Sequence, residues 1–314
     1  FTEAIKNPQN GRAYPNVITR CTPSNKLDIL QWMQSKNYVC AMTGDGVNDS
    51  PSLNHADVGI AMGTGTSVAK EAADIVLLDD AFPSIVTGVK WGRSLYKNIQ
   101  NFLYLQLSIN ISACLIAVFS PLVGITMPFT VTQFLWINLV MDSLAAIALA
   151  SEPADEKVLL DKPRDKKEFI INKSLGRAIF GFGGFIWALC LIILFGMENT
   201  ELLRKYELNS LVNFFENMNL TIFFATYMCI NWWNMFNARV VGKNKSIFDG
   251  LLKNSKFIGI LVFILVVTII IVQVGGEVFS TEPLSLNTWL TIILVTSPVC
   301  WVRELYFQLI GKRK

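Results

Sequence analysis

A doubly wound α/β portion followed by an all-α bundle of six membrane helices is the fold class this sequence predicts, and three observations predict it. The 314 residues are 52% hydrophobic and only 16% charged, which is too apolar for an ordinary soluble domain. Up to about Val89, short apolar runs alternate with polar helical stretches, the pattern of a parallel sheet with connecting helices. From about Trp91 onward the apolar segments lengthen to what a helix needs to cross a bilayer.

Four runs in the first portion read as strands: Asn16-Val-Ile-Thr19, Tyr38-Val-Cys-Ala-Met42, Val58-Gly-Ile-Ala-Met62 and Asp74-Ile-Val-Leu-Leu78. Gly63-Thr-Gly65-Thr-Ser reads as a turn into a helix over Val68–Ala73; with Val68 at the third glycine position it does not complete a dinucleotide fingerprint. A helix from about Ser84 through Tyr96 runs without a break into the first membrane segment. No proline or glycine pair interrupts Arg93 to Ala117, so it reads as a shaft rather than a linker. Six apolar segments follow, at 102–123, 128–150, 176–196, 211–236, 256–275 and 286–309. The expected division is 1–90 for the cytoplasmic α/β portion and 91–314 for the membrane portion.

Loop charge gives the orientation, because cytoplasmic loops near membrane helices collect Lys and Arg. Lys157, Lys162, Arg164, Lys166, Lys167 and Lys173 follow the second segment, and Arg239, Lys243, Lys245, Lys253 and Lys256 follow the fourth. The tail carries Arg303, Lys312, Arg313 and Lys314, whereas 120–127 and 273–288 carry no basic residue. These loops, the tail and the α/β portion are expected to share the cytoplasmic side. The net charge is only +3 and its basic residues flank apolar stretches, so the lipid bilayer and not nucleic acid is the expected partner. The six cysteines form no CxxC pair and read as buried free thiols, and His55 reads as a surface residue. The first residue is Phe1, with no basic and apolar leader after it, so the chain reads as a fragment without a signal peptide.

The strongest local motif is Thr43-Gly-Asp-Gly-Val-Asn-Asp-Ser-Pro51, just beyond the carboxyl end of a predicted strand, where open α/β sheets place their ligands. Gly44 and Gly46 are expected to allow a backbone that a Cβ would hinder, presenting Asp45 on a tight loop. Asp45, Asn48 and Asp49 offer the oxygen ligands Mg²⁺ takes, and Lys26 in Thr22-Pro-Ser-Asn-Lys26 offers an ammonium for a phosphate oxygen. Taken alone, such a loop also suits a simple strand-to-helix turn. The whole string, followed by Gly59-Ile-Ala-Met-Gly63, resembles the hinge motif of the P-type ATPases, whose phosphorylation domain is haloacid-dehalogenase-like. The resemblance implies that Asp45 binds Mg²⁺, that Asn48 and Asp49 support the phosphorylated site, and that Lys26 and Thr43 contact phosphoryl oxygens, with ATP as the substrate. The family's Asp-Lys-Thr-Gly-Thr string, whose Asp takes the γ-phosphoryl group, does not occur between Phe1 and Lys314. The chain is therefore expected to be the C-terminal part of such a pump, helices five to ten of ten, unable to hydrolyse ATP without the N-terminal part.

Polar groups inside membrane helices are site candidates, since each needs a partner or a cavity. Asn138 and Asp142 stand four residues apart and share a helix face, offering a carbonyl and a carboxylate to one hard cation. Gln106 and Asn110 repeat that spacing, as ligands or as hydrogen-bonding contacts to neighbouring helices. Leu105-Gln-Leu-Ser-Ile-Asn110, Trp136-Ile-Asn-Leu-Val-Met-Asp142 and Ala150-Ser-Glu-Pro153 resemble helices five and six of plasma-membrane-type calcium pumps. Two-ion calcium pumps carry Glu, Thr and Glu where this chain has Ala113, Met141 and Asn231. The resemblance thus implies one Ca²⁺ per cycle, held by Asn138 and Asp142 with Asn110 as a weaker candidate, in a plasma-membrane pump. Its short Gly-Lys-Arg-Lys ending implies no calmodulin-binding tail. A pump for another cation, and an inactive membrane subunit that retains the Mg²⁺ loop, are the alternatives.

Overall fold

The computed structural model describes residues 18–125, 127–161, 164, 168–243, 245–301 and 304. It divides into two compact units, Phe1–Arg93 with Asp155–Glu168, and Ser94–Ala154 with Phe169–Lys314.

In the first unit, α1 (Pro23–Ser35) precedes three strands, β1 (Ala41–Gly44), β2 (Val58–Met62) and β3 (Ile75–Leu77), joined by α2 (Ser50–His55) and α3 (Ser67–Ala72). The sheet is parallel in the order β1-β2-β3, with Ala41 opposite Val58 and Ile60 opposite Ile75. β2 is buried at Gly59, Ile60 and Ala61, as a central parallel strand must be, and Gly59 within it and Gly63 just after it are steric requirements. A Cβ on Gly59 would lie 2.5 Å from the Leu53 carbonyl oxygen, and one on Gly63 would lie 2.4 Å from that of Leu77. Carboxylates tie the strands at their margins: Asp57 accepts the Cys40 amide at 2.8 Å and Asp74 accepts that of Gly59 at 2.8 Å.

Three of the four expected strands are present, two of them shorter than expected or shifted. Tyr38, Val39 and Cys40 precede β1, and Asp74 and Leu78 flank β3. Of the first expected strand, Asn16 and Val17 lie outside the described residues, while Ile18 and Thr19 are not in a strand.

α4 is a single helix, Phe82–Phe119, and its apolar stretch continues to Val123. Within the first unit its basic residues hold the 155–161 loop, Arg93 donating to the carbonyls of Val158 at 2.9 Å and Asp161 at 2.8 Å. Among the described residues four helical stretches are long and apolar enough to cross a membrane: 82–123, Val131–Ala150, α7 (Lys173–Glu198) and Ser255–Val274, here α11. The second of these is not a uniform helix. It runs as α5 (Val131–Leu135), a wider π-helical stretch (Trp136–Met141) and α6 (Asp142–Ala150).

The expected segment 211–236 is two helices. After α8 (Thr200–Lys205), α9 (Asn209–Glu216) ends at Asn217 and α10 (Leu220–Ala238) begins after Asn219, whose side chain accepts the Ile222 amide. An Asn beside two further polar residues supplies both the stop and the cap, so apolar content alone misreads the run as continuous. The last expected segment appears as α13 (Leu286–Thr296), preceded by the short α12 (Gly276–Phe279); most of its expected 297–309 end lies outside the described residues. α10 is the centre of this unit, with 15 of its 19 residues buried, and it packs against α7, α11 and α13. A helix surrounded by protein can carry Asn231, Asn234 and Asn237, which a lipid-facing one could not. Gly183 lets α7 approach α4, since a Cβ there would lie 3.0 Å from the Ser108 carbonyl oxygen. Cys40, Cys190, Cys229 and Cys300 are buried as expected, but Cys114, on the outer face of α4, is exposed and Cys21 is half-buried.

Candidate functional site

The loop after β1 is built around Asp49. This residue is buried, and it uses both carboxylate oxygens: Oδ1 takes Lys26 Nζ at 2.5 Å, while Oδ2 accepts the Asp45 and Gly46 amides, each at 3.3 Å. Lys26 reaches it because Thr22 caps α1 with its hydroxyl and Pro23 opens the first turn, so the helix starts one turn before the lysine. Burial raises the Asp49 pKa, but the Lys26 hydrogen bond, the Gly46 amide, the Lys26 charge and the Asp45 amide outweigh it and hold the carboxyl below its ordinary value. Asp49 therefore serves as an ionised brace for the loop.

Asp45 is left exposed by that brace, as are Thr43 and Asn48. Its backbone is fixed from the other side, where Thr66 donates its amide to the Asp45 carbonyl at 2.8 Å. Gly65 permits the approach, since a Cβ there would lie 3.0 Å from the Asp45 carbonyl oxygen. The supporting turn is itself held by Asp80, which accepts the amides of Gly63 and Thr64 and the Thr64 hydroxyl at 2.6 Å. Those bonds, the Thr64 side chain first, keep the Asp80 carboxyl below its ordinary value. The role of Asp80 was not legible in the sequence, because the amides it accepts lie 17 and 16 residues earlier in the chain.

The structure thus brings Lys26, Gly44, Asp45 and Asp49 together, with Thr43 and Asn48 on the same loop. It corrects the reading of Gly46. A Cβ on Gly44 would lie 2.5 Å from Asp49 Cβ, but on Gly46 the nearest atom would be 3.8 Å away, and Gly46 has an ordinary extended backbone. Only the first glycine is sterically required. An exposed carboxylate on a braced loop, beside a cation and beyond a parallel strand, suits Mg²⁺, which binds through one or two carboxylates and keeps several waters.

In the second unit, Asp142 opens α6 immediately after the π-helical stretch. It is buried, 3% exposed, and neither carboxylate oxygen has a hydrogen-bond partner among the described residues. Such a group calls for a cation or a proton. Asn138, four residues earlier and inside the π-helical stretch, is exposed where Asp142 is buried, so the shared face expected from α-helical spacing is not seen, the wider turn having changed the spacing; Asn110 and Gln106 on α4 are half-buried. Ala113, Met141 and Asn231 are all buried; Asn231 donates to the Tyr227 carbonyl at 2.9 Å and its own carbonyl oxygen has no partner among the described residues. The wider turn before Asp142 has no sequence signal, and such turns recur at functional sites. His55 is exposed at the end of α2.

Residues 27–86 match the family described as haloacid dehalogenase-like hydrolase, and residues 126–309 match the family described as cation transporting ATPase, C-terminus. The chain is 38% identical over 280 residues to calcium-transporting ATPase 8, plasma membrane-type, of Arabidopsis thaliana, covering 88% of this chain and 26% of that protein. It is 37% identical over 292 residues to plasma membrane calcium-transporting ATPase 1 of Homo sapiens, covering 91% and 24%. For plasma membrane calcium-transporting ATPase 2 of Oreochromis mossambicus the figures are 36% over 285 residues, 89% and 26%. The chain spans about a quarter of the length of these relatives. With a haloacid dehalogenase-like match over its parallel strands, membrane-length helices and a family match over more than half its residues, the chain belongs to the cation-transporting P-type ATPases and corresponds to their C-terminal region.

Proposed function

We propose that this chain is the ion-path and Mg²⁺-side portion of an ATP-driven calcium exporter that works through a phosphorylated aspartate. The observation that carries the reading is Asp142, a buried carboxylate without a hydrogen-bond partner among the described residues, on a membrane-length helix. Calcium is the ion because the similar proteins named above are calcium-transporting ATPases and because a carboxylate with amide carbonyls is a hard-cation donor set. Asp142 and Asn138 hold the ion, with Asn110 the weaker candidate. One Ca²⁺ moves per cycle, since Ala113, Met141 and Asn231 supply no carboxylate for a second.

At the other site, Asp45 would hold Mg²⁺, which when bound neutralises charge on the phosphoryl group, and Asn48 supports the phosphorylated site. Lys26 and Thr43 contact phosphoryl oxygens, Asp49 fixes the loop and Lys26, and Gly44 gives Asp49 its room. The acceptor aspartate belongs to the remainder of the pump, so the chain alone is inactive. The α/β unit and the basic loops lie on the cytoplasmic side of the plasma membrane.

In the complete protein, Asp142→Asn is expected to abolish Ca²⁺-dependent phosphorylation from ATP while phosphorylation from inorganic phosphate persists. Undiminished Ca²⁺ dependence in that variant overturns the assignment. Two calcium ions transported per ATP would overturn the single-site reading, and stimulation by a different cation would replace calcium as the cargo.

A further inference from the structure

Ten residues beyond Asp142, about 15 Å along a helix, lies a buried charge pair that neither the ion path nor the phosphoryl site uses. Arg239 follows α10 and is 1% exposed, and Glu152 follows α6 and is 5% exposed. The contact is two-pronged: Arg239 Nε donates to Glu152 Oε1 at 2.6 Å and Nη2 donates to Oε2 at 3.2 Å. The remaining guanidinium donors bond the carbonyls of Ile247 at 3.0 Å and Asp249 at 3.4 Å, and the group lies 4.9 Å from the centre of the Phe257 ring.

Around the pair stand three buried asparagines. Asn254 donates to Glu152 Oε1 at 3.0 Å and to the Ser151 carbonyl at 3.4 Å. From α4, Asn98 donates to the Glu152 carbonyl and Asn101 to the Arg239 carbonyl, each at 3.1 Å. The cluster therefore joins α4, the exit of α6, the end of α10 and the start of α11 through bonds of fixed direction.

Buried ion pairs are a poor device for stability, because desolvation offsets their attraction and an apolar pair of similar volume holds as well. What a guanidinium fork adds is geometry: its donors fit a carboxylate and two carbonyls in one orientation. We propose that Glu152 and Arg239 are positioning residues for ion binding, setting the rotation and height of the Asp142 helix against α4 and α10. This rests on the reading of Asp142 as an ion ligand.

The test uses the complete pump and two titrations per variant, Ca²⁺-dependent phosphorylation from ATP and Ca²⁺-free phosphorylation from inorganic phosphate. Glu152→Gln and Arg239→Lys are expected to raise the half-maximal Ca²⁺ concentration at least tenfold, with phosphorylation from phosphate within twofold of the parent. The double variant Glu152→Leu/Arg239→Met, which removes both charges together, folds where a single variant does not and shows the same shift. Parent-like Ca²⁺ dependence in a folded variant overturns the proposal, and so does failure of all three to fold, which makes the pair a folding determinant only. Asp142→Asn is run beside them. If it leaves Ca²⁺ dependence unchanged, the ligand reading has failed; if it abolishes the dependence while the pair variants do not shift it, only the positioning role has failed.

Discussion

Replacing Gly44 by Ala perturbs the loop after β1 without replacing a charged group, and its neighbour Gly46 supplies the control. The new methyl on residue 44 would start 2.5 Å from Asp49 Cβ and 2.9 Å from its carboxyl carbon. Carbon contacts settle at about 3.5–4.0 Å, so Asp49 or the end of β1 must move by about 1 Å. Asp49 is held by Lys26 at 2.5 Å and by two amides at 3.3 Å, already near the limit of a hydrogen bond, so a shift of that size breaks the amide contacts. Overpacking alone costs about 1–3 kcal/mol, and each lost bond to a charged acceptor about 1.5–3 kcal/mol. Because the movement of Asp49 that breaks the amide bonds also relieves the clash, the terms do not add in full, and the total is expected at about 3–5 kcal/mol. On residue 46 the nearest atom to the new methyl would be 3.8 Å away, so Gly46→Ala is expected to cost under about 1 kcal/mol. The assay is phosphorylation of the complete protein from inorganic phosphate as a function of Mg²⁺, beside its thermal unfolding. Gly44→Ala should need at least tenfold more Mg²⁺ and Gly46→Ala less than threefold more. Equal effects of the two substitutions would refute the steric argument.

Further outcomes follow from the same contacts. The carboxyl of Asp49 is depressed in the folded state, so its stabilising contribution is complete above its unfolded value of about 3.9 and is lost as pH falls through the lower folded value. Lys26→Met removes the principal cause of that depression and should move the acid limb of the stability–pH curve upward; an unmoved limb counts against the Lys26–Asp49 pair as its source. Asp80→Asn retains an acceptor but weakens the bonds to Gly63 and Thr64, and the midpoint of thermal unfolding should fall; an unchanged midpoint would count against Asp80 as the tie of that turn. In the membrane unit, Gly196→Ala would place a Cβ 2.5 Å from the Phe215 ring and should destabilise by about 1–3 kcal/mol. Phe215→Leu in the same chain should return most of that loss; no recovery would show that α9 does not pack on Gly196.

Periodicity and local chemistry determined much of this protein by themselves. The alternation of short apolar runs placed β2 at Val58–Met62 and the other two strands to within a few residues, because a central parallel strand must be apolar on both faces. The Thr43–Pro51 loop stood out because its whole nine-residue string resembles a family's hinge motif, not because the residue types alone exclude a plain turn, and Asp142 because a charge in a membrane helix is conspicuous. Tertiary structure decided what composition cannot encode. The split between α9 and α10 turns on one Asn cap, and the π-helical stretch before Asp142 has no residue pattern that announces it. That Asp49 braces the loop while Asp45 is free for a ligand could not be read from two aspartates four residues apart, since the difference lies in Lys26, 23 residues from Asp49. Likewise Glu152 and Arg239 read as ordinary loop charges until folding brings residues 87 positions apart into one buried contact. Sequence sets which groups are present and how often they recur; which of them meet is decided by non-local packing, where a carboxylate's role follows from the partners that reach it.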